Sequence, residues 1–322
     1  MSAKLLEVRD LRIDIPMPHG LLHAVRGIDL DLERGETLCV VGESGCGKSL
    51  TALGLMGLLP RKARRTAARL AFNGEDLSRV DARYMNKLRG DRISMVFQEP
   101  MTALNPCLTI GEQLTEVLRH HRGTPRREAT DRAVFLLQKV GIPAAGERLG
   151  QFPHQLSGGL RQRVMIAMAL MCGPDLVVAD EPTTALDVTI QAQILLLLRE
   201  LQMEFHMGLL LITHDLGVVA RVADRVAVMY AGEIIETGSA AEVFANPSHP
   251  YTRGLLSCVP VPGRTRGTVL GVVPGTVPSL IGELRGCAFR ERCTIAIDAC
   301  ADPGPSITQI SIDRTVRCLR AA

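Results

Sequence analysis

Tryptophan is absent from this chain, and aromatic residues of every kind make up only 3% of it. Platforms on which nucleobases stack are therefore scarce. An excess of one charge is lacking too: 22% of residues are charged, yet the formal net charge is only +3. So nearly balanced a surface gives a polyanion little to hold, and nucleic acid is not expected as a partner. No stretch approaches the roughly 18–20 apolar residues that a membrane-spanning helix needs. The opening MSAKLLEVRD carries no apolar core of a secretory leader. These absences predict an intracellular, non-spanning globular chain, and its 322 residues are room for about two domains on a prior of roughly 150 each. Cysteine, by contrast, is plentiful at nine. Without a leader, these predict free thiols plus a metal site more than disulfides. Cys39, Cys46, Cys107, Cys172 and Cys258 are scattered, whereas Cys287, Cys293, Cys300 and Cys318 crowd the C-terminal end.

LRIDI (11–15) and GIDLDL (27–32) alternate in the manner of half-buried antiparallel strands. TLCVVG (37–42) is a continuous apolar run entering a glycine loop, which predicts a strand buried on both faces of a parallel sheet. Similar runs recur at ISMVFQ (93–98), LVVADE (176–181) and LLLITHD (209–215), so the core reads as α/β. Between Pro100 and Pro174, IGEQLTEVLRHH and REATDRAVFLLQKVG place apolar residues three and four apart, and a mostly helical insert is predicted. From Asn246-Pro247 through Pro278 the chain is rich in Pro and Gly, which predicts a loop-rich appendage with a small core of its own. The expected division is residues 1–98 with 174–245, then 99–173, then 246–322.

Gly42-Glu43-Ser44-Gly45-Cys46-Gly47-Lys48-Ser49 satisfies GxxxxGK[ST], after a predicted strand and before the helical stretch LTALGLMGLL. Glycines let backbone N–H groups curl around phosphates, Lys48 meets the β- and γ-phosphates, and Ser49 holds Mg²⁺. Asp180 closes another buried run, where ligands collect in parallel sheets, and Glu181 follows it. The two carboxylates can divide the work: Asp180 completes the Mg²⁺ shell and Glu181 activates the attacking water. His214 and Gln98 end the other two runs. Their expected roles are a γ-phosphate contact for His214 and a Mg²⁺ or water contact for Gln98.

Joined to these, Leu156-Ser157-Gly158-Gly159-Leu160 completes a set that resembles the nucleotide-binding subunit of an ABC transporter over nearly the whole chain. In that resemblance LSGGL is the signature, Gln98 the Q-loop, Thr184-Ala185-Leu186-Asp187 the D-loop and His214 the switch histidine. The implied fold is a P-loop α/β ATPase core with an antiparallel β subdomain, a helical subdomain carrying the signature, and the C-terminal extension. Two such subunits pack head to tail, so that Ser157, Gly158 and Gly159 cover ATP bound on the partner, with a helix start and open N–H groups toward its γ-phosphate. Two positions depart from the family. Leu160 replaces the commoner glutamine, and Ile15 stands where an aromatic usually stacks on adenine, which leaves the base to apolar contact or to His23. QEPMTALNP (98–106) and NPSHPYTRGLLSCVP (246–260) are similar to the oligopeptide, dipeptide and nickel importer ATPases. The resemblance implies peptide import, with nickel or another small solute as the alternative and a soluble ABC ATPase acting on nucleic acid as a more distant one. It also implies a second, similar ATPase, two permeases, an external solute-binding protein and a place on the cytoplasmic face of the inner membrane.

The late cysteines are spaced C-x5-C-x6-C-x17-C among Arg285, Arg290, Arg292, Arg314 and Arg317. Four thiolates bring a charge of about −4, which a cationic shell and a buried metal would offset. Zinc usually takes paired CxxC knuckles, and none occurs here. A [4Fe–4S] cluster tolerates wider loops, and extensions of the peptide-importer ATPases with this pattern resemble cluster carriers. The expectation is a structural [4Fe–4S] cluster, with zinc as the alternative. Two further readings are local. Cys46, beside a helix N-terminus that can favour thiolate, reads either as a thiol alkylated more slowly with ATP present or, in the preferred reading, as a small residue that merely fits. The basic run at 61–65 is expected to be a solvated loop.

Overall fold

The alternating N-terminal stretches form β1 (Leu6–Met17) and β2 (Gly20–Leu32), paired antiparallel from Leu6↔Leu32 to Met17↔Gly20. In this computed structural model, which describes residues 4–183, 187–259 and 271–321, they belong to a small sheet of order β2-β1-β5-β6. Here β5 is Arg69–Phe72 and β6 Glu75–Asp76, while β4 (Arg64–Thr66) joins the other part of β1. The basic run is therefore not wholly a solvated loop. Arg65 is half-buried and donates to the Gly54 and Leu77 carbonyls at 2.7 and 3.3 Å.

The continuous apolar runs form the parallel centre of a second sheet, ordered β12-β13-β11-β10-β3-β9-β8-β7. These are β3 (Thr37–Val41), β7 (Ile93–Val96), β8 (Leu176–Asp180), β9 (Gly208–Thr213), β10 (Arg225–Tyr230) and β11 (Glu233–Ser239), with β12 (Thr308–Ser311) and β13 (Arg314–Val316) from the end of the chain. Neighbours from β10 to β7 are parallel, and every residue of β3, β7, β8 and β9 is buried. Side chains alternate between two cores, as a strand period of two requires. Leu38, Val40, Leu210 and Ile212 pack with the antiparallel sheet, whereas Cys39, Val41, Leu209 and Leu211 face the helices.

The insert is helical as its spacing predicts, with longer helices at Ile110–Arg122, Arg126–Lys139 and Gly158–Ala169. The first opens on a capping box in which Thr109 and Glu112 satisfy each other's backbone N–H groups. Leu114, Leu118, Ala133, Leu136 and Val164 fill the space between these helices.

The C-terminal region departs from expectation. It is loop-rich, but its apolar residues do not form a separate small core. Tyr251, Leu280 and Phe289 enter the core beneath the main sheet, and β13 extends that sheet by pairing with β11 at Glu236↔Val316 and Thr237↔Thr315. Pairing on an existing sheet edge lets a segment with little periodicity of its own share a core built elsewhere.

Candidate functional site

β3 delivers the glycine loop to the C-terminal edge of the sheet, and the helix Lys48–Met56 starts inside the motif. Two glycines are required by space. A Cβ on Gly42 would lie 2.1 Å from the Met229 carbonyl oxygen, and one on Gly47, at φ 108°, would lie 2.5 Å from that of Ala24. The loop is thus wedged between β2 and β10, where only glycine allows so close a backbone approach. Lys48 is buried and donates from Nζ to the Gly42 and Glu43 carbonyls, both at 2.9 Å. Its Nζ also lies 3.9 Å from Glu181 Oε1. Cys46 answers to the second of its two readings: it is fully buried, and burial raises its thiol despite the pull of Lys48 in the opposite direction. It fits as a small residue and is not a reactive thiolate.

The other candidates converge on this loop from neighbouring strand ends. Ser49 Oγ donates to Asp180 Oδ1 at 2.9 Å, which sets a hydroxyl and a carboxylate side by side. Oxygen donors of this kind suit Mg²⁺, which keeps several ligands from phosphate and water. Burial raises the Asp180 pKa and neighbouring Glu181 raises it further, while Ser49 and Lys48 oppose them; a cation placed there would favour the carboxylate. Glu181 is the hub of the polar contacts. Gln98 donates from Nε2 to its Oε2 at 3.5 Å, and His214 Nδ1 lies 3.4 Å from the same oxygen. Gln98, Asp180-Glu181 and His214 are thus brought together from β7, β8 and β9.

Ser157 caps the helix Gly158–Ala169, accepting from the Leu160 N–H at 3.4 Å. Ser157 and Gly158 are exposed and Gly159 is half-buried, so the helix start is open to a ligand from outside. Thr184, Ala185 and Leu186 of the D-loop lie outside the described residues; Asp187 caps the helix Val188–Phe205. Ile15 is half-buried opposite Leu22 in β2. His23 pairs with Asp14, Nδ1 to Oδ1 at 2.7 Å.

Two residues at the phosphate loop escaped the sequence reading. Tyr251 accepts from the Glu43 N–H at 2.8 Å, and Arg292 holds the Glu43 carboxylate by two bonds of 2.7 and 2.9 Å. Glu43 thus turns both its N–H and its side chain toward the C-terminal region. HPYT supplied one signal, because its histidine prepares the helix that carries Tyr251: His249 Nδ1 accepts from the Tyr251 N–H at 3.0 Å. For Arg292 the sequence offers only one arginine among several.

Cys287, Cys293, Cys300 and Cys318 line a single small pocket with His249 and Phe289. Burial raises the Cys287 thiol, and Cys300, Cys318 and Cys293 push it further. Among the described residues, no three His, Cys, Asp or Glu side chains are gathered tightly enough to hold a single metal ion.

Comparison with known proteins agrees with this geometry. The family described as ABC transporter matches residues 25–184, and that described as oligopeptide/dipeptide transporter, C-terminal region, matches residues 235–300. The dipeptide transport ATP-binding protein DppD of Bacillus subtilis is 50% identical over 98% of this chain and 94% of its own length. The oligopeptide transport ATP-binding protein OppD of Salmonella typhimurium is 48% identical over 98% and 93%. Among solved structures, a dimeric post-hydrolysis state of an ATP-binding cassette bound to ADP and Pi is 27% identical. It covers 73% of this chain and 98% of that one with a TM-score of 0.65. The chain belongs to the ATP-binding subunits of ABC transporters, in the branch that carries the oligopeptide/dipeptide transporter C-terminal region.

Proposed function

We propose that this chain hydrolyses ATP to power the import of di- or oligopeptides, with ATP on residues 42–49. The observation that carries the reading is the convergence of Ser49, Gln98, Asp180, Glu181 and His214 at neighbouring strand ends, in a chain whose relatives are named for peptide transport. Lys48 and the loop N–H groups hold the phosphates, while Ser49 and Asp180, with Gln98, hold Mg²⁺. Glu181 takes the proton of the attacking water. His214, 3.4 Å from its carboxylate, orients that group and reaches the γ-phosphate. Ser157, Gly158 and Gly159 act on ATP bound to a second ATPase subunit, and their exposure supports that assignment.

Among the described residues no helix is long and apolar enough to cross a membrane. The chain works peripherally, at the cytoplasmic face, beside two permeases fed by an external solute-binding protein. Phe97 and Met101, 38% and 59% exposed on either side of Gln98, are apolar contacts suited to a permease. The four late cysteines hold a [4Fe–4S] cluster. Their lining of one pocket supports a shared group, and spacing without paired CxxC knuckles favours the cluster over zinc. When bound, the cluster supplies cross-links between loops that bury little apolar surface of their own.

In liposomes containing both permeases and both ATPases, peptide-loaded binding protein should stimulate hydrolysis. Stimulation by a nickel-loaded binding protein, with peptide inert, would replace peptide as the solute.

A further inference from the structure

Arg292 is far from the phosphate loop in sequence, yet its side chain is only 5% exposed and directed at that loop. A guanidinium has five N–H donors, and all five are used here. Nη1 donates to Glu43 Oε2 at 2.7 Å and to Tyr230 Oη at 3.3 Å; Nη2 donates to Glu43 Oε1 at 2.9 Å and to the Val273 carbonyl at 3.1 Å. Nε donates to the Pro274 carbonyl at 2.7 Å. The group is thus fixed by two backbone carbonyls of the C-terminal region and applies a two-bond fork to one carboxylate of the loop. Such forks fix geometry as well as charge. Tyr251 holds the same residue through its backbone N–H. The region also reaches the other side of the site. His23 N–H donates to the Leu280 carbonyl at 2.9 Å, Gly282 N–H to that of Leu21 at 3.0 Å, and Arg26 Nη2 to that of Leu284 at 2.9 Å. Residues 280–292 therefore run from β2, beside Ile15 and His23, to the phosphate loop.

We propose that Arg292 is a positioning residue for ATP, and that through it the C-terminal region sets the nucleotide affinity of the subunit. Glu43 puts a negative charge into a loop that must receive a triphosphate. Paired with Arg292, that charge is neutralised and the loop backbone is held at Glu43 by its side chain and by its N–H. Without Arg292, the carboxylate is free to repel the phosphates and the loop has lost one of its two anchors to the C-terminal region. The inference rests on ATP occupying residues 42–49.

The test is an equilibrium titration of the full-length chain with Mg²⁺ and a fluorescent ATP analogue. Arg292→Gln should raise Kd about tenfold, and adding Glu43→Gln should bring it back to within about threefold, because the unpaired charge is gone. In the assembled transporter the KM for ATP should rise in Arg292→Gln while kcat changes by less than about twofold. An unchanged Kd, or a loss that Glu43→Gln does not relieve, would overturn the proposal, since a purely architectural role for Arg292 is not rescued at Glu43. If Arg292→Gln does not fold, Arg292→Lys serves instead: it keeps charge but not the fork, and should weaken binding about threefold. An unchanged Kd there overturns the proposal equally. Lys48→Ala separates the two readings, because analogue binding that survives it would remove ATP from this loop and the inference with it.

Discussion

Glu181 stands where the chain leaves β8 with φ at 42°, a left-handed conformation uncommon for a residue with a side chain. Such backbone costs on the order of 1 kcal/mol and persists when its surroundings demand it. Here the Glu181 N–H is taken by the Ile212 carbonyl at 2.9 Å, and the turn aims the carboxylate at Gln98, His214 and Lys48. Glu181→Gln keeps this shape but removes the base. In the assembled complex it should bind ATP normally while hydrolysis falls by about 10²- to 10⁴-fold. Single-turnover kinetics measure this, and near-normal turnover would remove Glu181 from the role. The nearby Cys46 sets two effects against each other. A helix N-terminus favours thiolate in principle, but burial outweighs it here.

Among the elements, the helix Pro250–Ser257 and the hairpin β12–β13 are fastened by one buried ion pair. Glu236 on β11 accepts from the backbone N–H groups of Ser248 and His249 at 2.8 and 2.9 Å, and from Arg314 at 3.0 Å. Removing one partner of such a pair leaves a buried charge uncompensated, so Arg314→Met should cost about 3 kcal/mol, read as a fall in the urea midpoint. His249 adds a pH dependence. Burial lowers its pKa to about 4, only partly opposed by Glu236, and protonating Nδ1 would remove the acceptor of the Tyr251 N–H. The unfolded chain takes up that proton near the ordinary value of about 6.5. The stabilisation is therefore complete above about pH 6.5 and is lost as pH falls toward 4, an effect of up to about 3 kcal/mol. Melting temperatures between pH 7 and 4.5 should show this slope in the parent and a shallower one in His249→Gln.

At the scale of the whole molecule, the C-terminal region is joined to the ATPase core by sheet pairing, by shared apolar packing and by contacts on both sides of the nucleotide site. Its own loops still bury little, which is where a cluster cross-linking Cys287, Cys293, Cys300 and Cys318 would act. Anaerobically purified protein should contain iron and acid-labile sulfide, and zinc without sulfide would decide for the alternative. Chelation or oxidation of the cluster should lower the melting temperature. The helical insert and central sheet were readable in advance because their apolar residues repeat at three to four residues or run unbroken. The C-terminal region was not, because it is held by contacts to distant elements and has little periodicity.

The sequence by itself determined the family and the candidate residues of the site, because each motif is a short contiguous stretch that depends on local backbone: glycines that open N–H groups, a strand end that presents a carboxylate. The tertiary structure decided what those motifs touch. It gathered Gln98, Glu181 and His214 from three strands, buried Cys46, and brought Arg292 to Glu43 across a separation of 249 residues. An ion pair between distant positions leaves no periodicity or spacing in a single sequence, so only the folded chain reveals it.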